Sequence, residues 1–319
     1  RMFLYSLNPA LTQGLILLFT IFFLKGKSSA LAPANGYLMA SVGVILIFLL
    51  IFLKDKIIRK AKIQKSVPLL KKLVSFGLPV MFTLVGGRVI KYIDLLFLTY
   101  FLDVRIVGIY SIAVSSAMLF LFFGKAIGEV LLPLSSELQA RNKEQMLVKG
   151  LQLMQKYSFL IILPLILGLF SFPELLINLL FGEKYLSAAV PLQILLIGII
   201  FLLMAQFNNS VINGLGRPKQ ITKITFLAAT INIIFNLILI PLIGGVGAAI
   251  ATLLSYLSMA LFSIFYIRKE LDYQFKSRQW LKISFSAVIF LSITFSFTFL
   301  FDFNLWFKAI LSFFLALLF

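Results

Sequence analysis

Apolar positions in this chain come in long unbroken runs of about 20 residues, parted by short polar stretches, with neither strict alternation nor a single apolar stripe. A run of that length is what an α-helix needs to cross a hydrocarbon layer about 30 Å thick. Membrane barrels alternate apolar and polar positions instead, and these runs do not. The pattern predicts an all-α, polytopic transmembrane helix bundle of about ten spans: 9–24, 37–53, 74–101, 106–133, 157–181, 190–215, 224–243, 245–267, 283–301 and 305–319. Prolines 79, 133, 164, 173 and 191 fall within or at the ends of these spans, where they kink or interrupt helices.

Composition strengthens this picture. Hydrophobic residues make up 61% of the chain, charged residues 13%, and the mean hydropathy is +1.06, so most of the chain belongs in lipid. The absence of Cys and His removes thiolate metal sites, disulfides, thiol nucleophiles and the commonest general base, so no catalytic residue and no metal site is expected. A net charge of +18 raises the question of nucleic acid, but the cations sit in short connections between apolar runs, where membrane orientation accounts for them. One alternating set of connections carries 21 Lys and Arg residues and the other carries only Lys25, Lys27, Arg105 and Lys184. That asymmetry predicts a cytoplasmic-membrane protein with its basic connections inside. No signal-peptide pattern is present and the last residues stop within an apolar run, which reads as a fragment of a longer protein.

The basic connection 54–72 reads as a cytoplasmic linker or an interfacial helix on the inner leaflet. An echo links GYLMAS at 36–41 with GAAIAT at 247–252, each opening a span that ends in a basic connection. The offset of 211 residues is about six spans, as in a chain built of two six-helix halves.

Charges inside the spans are the candidates for chemistry. Arg88, Lys91 and Asp94 follow one another at intervals of three in the third span, covering an arc of about 120°. Unpaired charge at that depth costs several kcal/mol or more, so this face looks into protein or a wet cavity. Lys91 with Asp94 can form a structural ion pair, and Arg88 then remains as a net cation suited to a phosphate or carboxylate. Gly86 and Gly87 permit a bend or a close helix approach beside it. Lys125 and Glu129, four apart in the fourth span, can pair or line the mouth of the same cavity. Amides form a further group: Gln206, Asn208, Asn209 and Asn213 on the sixth span, and Asn232 and Asn236 on the seventh. The pairs Asn209 with Asn213 and Asn232 with Asn236 each share a face and can bond across helices or to sugar hydroxyls. The chain has no P-loop, so energy comes from elsewhere, and Asp94 and Glu129 are the candidates for proton or Na+ coupling.

These residues sit in strings that resemble a known family. FGLPVMFTLVGGRVIKYIDLLFLTYFLDVRIVGIYSIAVS, VLLPLSSEL, LLFGEKYLSAAVPLQIL, NGLGRPK and NIIFNLILIPLIGGVGAAIATLLSY occur in this order between residues 76 and 256. The succession resembles the carboxy-terminal part of Wzx-type polysaccharide flippases of the multidrug/oligosaccharidyl-lipid/polysaccharide exporter superfamily. That resemblance implies a MATE-like arrangement of two six-helix lobes working by alternating access. It assigns 1–53 to the last hairpin of the first lobe, 54–72 to a linker, 73–268 to a complete six-helix lobe and 269–319 to an extra carboxy-terminal helix pair. It further implies a polyprenyl-pyrophosphate-linked oligosaccharide as substrate, with Arg88 and Lys91 meeting the pyrophosphate. Membrane lipids, a polysaccharide polymerase and chain-length machinery are the implied partners, without nucleic acid and without a cofactor beyond a coupling ion. Lys125 has no counterpart in the resemblance. A lipid II flippase, a cation-coupled multidrug exporter and a membrane glycosyl- or acyltransferase are the competing readings; Arg88 and Lys91 disfavour a site for cationic drugs, and short outer loops disfavour a transferase.

Overall fold

The structure is a computed structural model that describes residues 2–24, 32–54, 67–271, 285–292 and 296. The connection 55–66, most of the ninth expected span and the whole of the tenth lie outside the described residues. All described secondary structure is helical. Contacts divide the chain into two units, Arg1–Pro68 and Leu69–Phe319.

In the first unit, α1 (Met2–Leu24) and α2 (Ala32–Lys54) pack as a pair. Gly36 marks their close approach: a Cβ there would lie 2.8 Å from the backbone nitrogen of Thr20.

The second unit continues with α3 (Val67–Phe101), α4 (Val104–Ala117) and α5 (Leu121–Ala140), the last two joined through a 3-10 turn at Met118–Phe120. It goes on through α6 (Glu144–Ser171), short α7 (Pro173–Phe181), a 3-10 segment at Glu183–Ala188, α8 (Ala189–Gly214) and α9 (Pro218–Leu271). Six stretches among the described residues are long and apolar enough to cross a membrane, by length and composition. One of them, α9, is two arms: Ile243 (φ −135°, ψ 17°) and Gly244 (φ 59°, ψ −134°) leave helical geometry just after Pro241. The break falls where the sequence separates its seventh and eighth spans. A φ of +59° with that ψ is open essentially to glycine alone, which is why Gly244 carries the turn.

Helix ends follow local chemistry. Past α8, Gly216 takes φ 70° while its N–H reaches Asn213 O and the N–H of Arg217 reaches Ile212 O, closing off carbonyls of the last turn. Pro218 then starts α9, a place where its missing N–H costs nothing. At the start of α4 the Asp103 side chain accepts from the Arg105 N–H.

α8 is the centre of this unit. Its apolar window is 67% buried, whereas no other span exceeds 33%, so the remaining helices ring it and turn an apolar side outward. Small residues let α5 and α8 meet: a Cβ on Gly124 would overlap the Gln206 side chain, and one on Gly214 would lie 2.6 Å from Leu132 O. Ser136 Oγ donates to Gly214 O at 2.8 Å, and Arg217 pairs with Glu270, so the ends of α5, α8 and both ends of α9 gather together. Arg141, Lys143, Lys219, Arg268 and Lys269 therefore share one end of the unit. At the other, Gly244 lies against Leu102, and Arg105 is close by in sequence.

Candidate functional site

Asp94 sits on α3 with 3% of its surface exposed, and three helical segments donate to its carboxylate. Tyr110 Oη of α4 donates to Oδ2 at 2.7 Å, Asn236 Nδ2 of the first arm of α9 to Oδ1 at 2.6 Å, and Thr252 Oγ1 of the second arm to Oδ2 at 2.5 Å. Asn232 closes the network, its Oδ1 accepting from Asn236 Nδ2 at 3.1 Å and its Nδ2 donating to Thr252 Oγ1 at 3.3 Å. Tyr110, Asn232, Asn236 and Thr252 are all buried. No cation meets the carboxylate among the described residues, so neutral donors alone offset its removal from water. Asn236 Oδ1 is buried without a hydrogen-bond partner, on the amide whose Nδ2 serves the network. The network also clasps the two arms of α9, since Asn236 and Thr252 lie on opposite sides of the break at Gly244.

Arg88 and Lys91 are placed differently. Both are exposed, and neither makes an ion pair among the described residues. The Lys91–Asp94 pair open to the sequence does not form; the Lys91 ammonium lies over the Tyr92 ring, 5.2 Å from its centroid. The reason is helical phase. Each step of three residues falls about 60° short of a full turn, so Asp94 is rotated about 120° from Arg88, and α4 and α9 cover only the Asp94 side. The adjacent glycines divide the same way: a Cβ on Gly86 would lie 2.9 Å from Thr225 of α9, while one on Gly87 would meet nothing within 4 Å. At 1.5 Å per residue Arg88 is about 20 Å and Lys91 about 15 Å from the Phe101 end of α3. Among the described residues, two cations without an ion-pair partner thus stand on an exposed face of a helix long enough to cross a membrane.

Lys91 and Asp94 nevertheless border one small, partly open cavity of about 10 Å³, the space of roughly one water, walled also by Tyr110, Thr252 and Tyr256.

Lys125 and Glu129 on α5 are both exposed and do not pair with each other. On α8, the amide that bridges helices is Asn208: its Oδ1 accepts from Gln155 Nε2 of α6 at 2.9 Å and its Nδ2 donates to Ser263 Oγ of α9 at 3.0 Å. Asn209 and Asn213 are half-buried, and Asn209 Oδ1 is a buried acceptor without a partner. Asn232 and Asn236 are fully buried and serve Asp94, so of the two roles open to them they take the interhelical one here. Sequence reasoning missed Tyr110 and Thr252. A tyrosine in mid-span and a threonine among alanines were their only signals.

Comparison with known proteins follows this geometry. The profile of a family described as polysaccharide biosynthesis protein matches residues 2–190. An uncharacterized membrane protein of Methanocaldococcus jannaschii is 35% identical over 273 residues, covering 84% of this chain and 54% of that protein. A probable low-salt glycan biosynthesis flippase of Haloferax volcanii is 24% identical over 213 residues, covering 67% of this chain and 45% of that protein. The chain thus spans about half the length of these curated relatives. Among solved structures, the lipid II flippase MurJ in an inward closed conformation superposes with a TM-score of 0.75 over 98% of this chain and 65% of that one, at 20% identity, a likeness of fold.

Proposed function

The chain belongs to the polysaccharide biosynthesis protein family, and from that premise we propose that the complete protein moves a polyprenyl-pyrophosphate-linked oligosaccharide across the cytoplasmic membrane by alternating access. The observation that carries this reading is the pair Arg88 and Lys91, exposed and without an ion pair among the described residues, well within a helix of membrane-spanning length. The uncovered face of α3 then lines a wet cavity, and the pyrophosphate is the anion that the guanidinium grips with two parallel hydrogen bonds while the ammonium adds a second positive charge. A pocket for cationic drugs would be repelled by the same pair. A lipid II-type substrate shares the pyrophosphate and differs only in its sugar.

Lys125 and Glu129, exposed on α5, and the half-buried Asn209 and Asn213 on α8 are the proposed polar contacts further along the path. The transport step changes no covalent bond, in keeping with a chain that offers no cysteine or histidine.

Asp94 is the proposed site of the coupling cation, for which we take Na+. The oxygens gathered there suit a hard cation: the Asp94 carboxylate, the hydroxyls of Tyr110 and Thr252, and the amide oxygen of Asn232, with the Asn236 amide, which now donates its N–H to the carboxylate, needing to turn to offer its own unpartnered oxygen. Because these groups come from α3, α4 and both arms of α9, a cation held there favours the arrangement in which the four segments converge.

The test is export of lipid-linked glycan in a flippase-deficient cell that carries the full-length gene. Arg88→Ala is expected to abolish export at normal protein level and insertion, and Arg88→Lys to retain part of it. Normal export by Arg88→Ala overturns the anion-binding role.

A further inference from the structure

We propose that Lys91 couples the two sites: its charge makes cation binding at Asp94 depend on whether an anion occupies the cavity face of α3. This rests on the reading of Asp94 as a cation site. Three observations carry it. Lys91 and Asp94 border one small, partly open cavity of about 10 Å³, room for roughly one water beside the carboxylate cluster. Their Cβ atoms, three residues apart on a helix, are about 5–6 Å from each other. Neither charge is cancelled among the described residues, since Asp94 is held by neutral donors from α4 and α9 while Lys91 is exposed and rests over Tyr92.

An uncancelled ammonium beside the site repels an incoming cation, and the remaining cavity wall of Ile90, Val114 and Leu195 contributes no screening charge. At a separation of about 8 Å and an effective dielectric of about 20, one unit charge shifts ion affinity on the order of 30-fold. A pyrophosphate on Lys91 and Arg88 takes that repulsion away. Anion binding therefore tightens Na+ binding, and by reciprocity Na+ tightens the anion by the same factor. Substrate and ion then load together although they never touch, one in the cavity and the other between α3, α4 and α9. Arg88, a further turn away from Asp94, contributes less.

The experiment uses the complete protein in detergent, titrated with NaCl against choline chloride at constant ionic strength. Na+ affinity is read by calorimetry and by thermal shift, with and without a short-chain isoprenyl pyrophosphate as the anion. In the wild type the probe is expected to raise Na+ affinity at least several-fold, towards 30-fold. Lys91→Gln is expected to bind Na+ more tightly by a similar factor without the probe and to be indifferent to it, whereas Lys91→Arg keeps the dependence. Lys91 is exposed, so these variants fold, and their melting temperatures without Na+ check that they do. If Na+ binds and depends on Asp94, yet the probe leaves its affinity unchanged or Lys91→Gln responds as the wild type does, the coupling role is wrong and the cation site stands. If the wild type binds no more Na+ than Asp94→Asn, the cation site itself falls, and this inference with it.

Discussion

Gly247 offers a severe test of the way α9 folds back on itself. A Cβ at this position would overlap the carbonyl oxygen of Leu239 and stand 2.5 Å from its carbon and 3.0 Å from the Ile240 nitrogen. These are backbone atoms, with no side chain to swing aside, so Gly247→Ala must part the two arms by about 1 Å; overpacking of that kind costs about 1–3 kcal/mol. The cost grows if the clasp around Asp94 loosens, because Asn236 lies before the break and Thr252 after it, and each hydrogen bond lost there removes about 1 kcal/mol. Two neighbours serve as controls. Gly245→Ala meets nothing closer than Ile106 Cγ2 at 3.7 Å and gains about 1 kcal/mol of helix propensity, so it is expected to be neutral or stabilising. Gly244→Ala has space but must hold φ 59°, at a cost of about 1–3 kcal/mol. Thermal denaturation of the purified protein in detergent is expected to place Gly247→Ala and Gly244→Ala below the wild type by on the order of 5 °C, with Gly245→Ala level or above. A Gly247→Ala protein that melts with Gly245→Ala would falsify the closed hairpin and, with it, the clasp.

Two further predictions concern what holds the lobe together. Asn208→Leu removes the acceptor of the Gln155 Nε2 bond and the donor to Ser263 Oγ, which keeps its bond to Ala260 O, so it is expected to lower stability by about 1–3 kcal/mol in the same assay, with Gln155→Leu added to it restoring part of the loss; a single variant as stable as the wild type refutes the bridge. Arg217→Ala breaks the ion pair with Glu270, but the Arg217 side chain is 49% exposed, so a loss of less than about 1 kcal/mol that shrinks further in high salt is expected; a larger, salt-insensitive loss means the contact is more than a surface pair.

Hydrophobic run length made the helices legible, and its blind spots are physical. The junction of the seventh and eighth spans was readable because Pro241 and the two glycines after it stand where an apolar run is already long enough to have crossed. The start of α6 was not. Its helix opens at Glu144, 13 residues before the expected span, because EQMLVKGLQLMQK is helical yet too polar to register as a membrane segment. The expected fifth span also runs through Phe172, where α6 ends and Pro173 opens α7. At the site, residue type marked Arg88, Lys91 and Asp94 as the candidates for function, since charge within an apolar span needs a reason. Spacing alone left open whether the three form one cluster, because an arc of 120° is narrow enough to be covered whole and wide enough to be divided. The deciding fact is where α4 and α9 cross α3, and that depends on Gly86 admitting Thr225 and on Tyr110, Asn236 and Thr252 arriving from segments far apart in the chain.

That division has a consequence for how such a protein can be driven. Had Lys91 paired with Asp94, an anionic substrate would have to break a salt bridge in low dielectric to bind, and a cation would have to do the same from the other side. Here both side chains are already apart, Asp94 satisfied by neutral donors and Lys91 turned outward. On the proposed reading, neither ligand has a salt bridge to break, and what remains between the two sites is electrostatic influence across a short gap. A protein proposed to carry a pyrophosphate in one direction and release it gains from that arrangement, since binding that is assisted rather than clamped is also binding that can be undone when the proposed cation leaves.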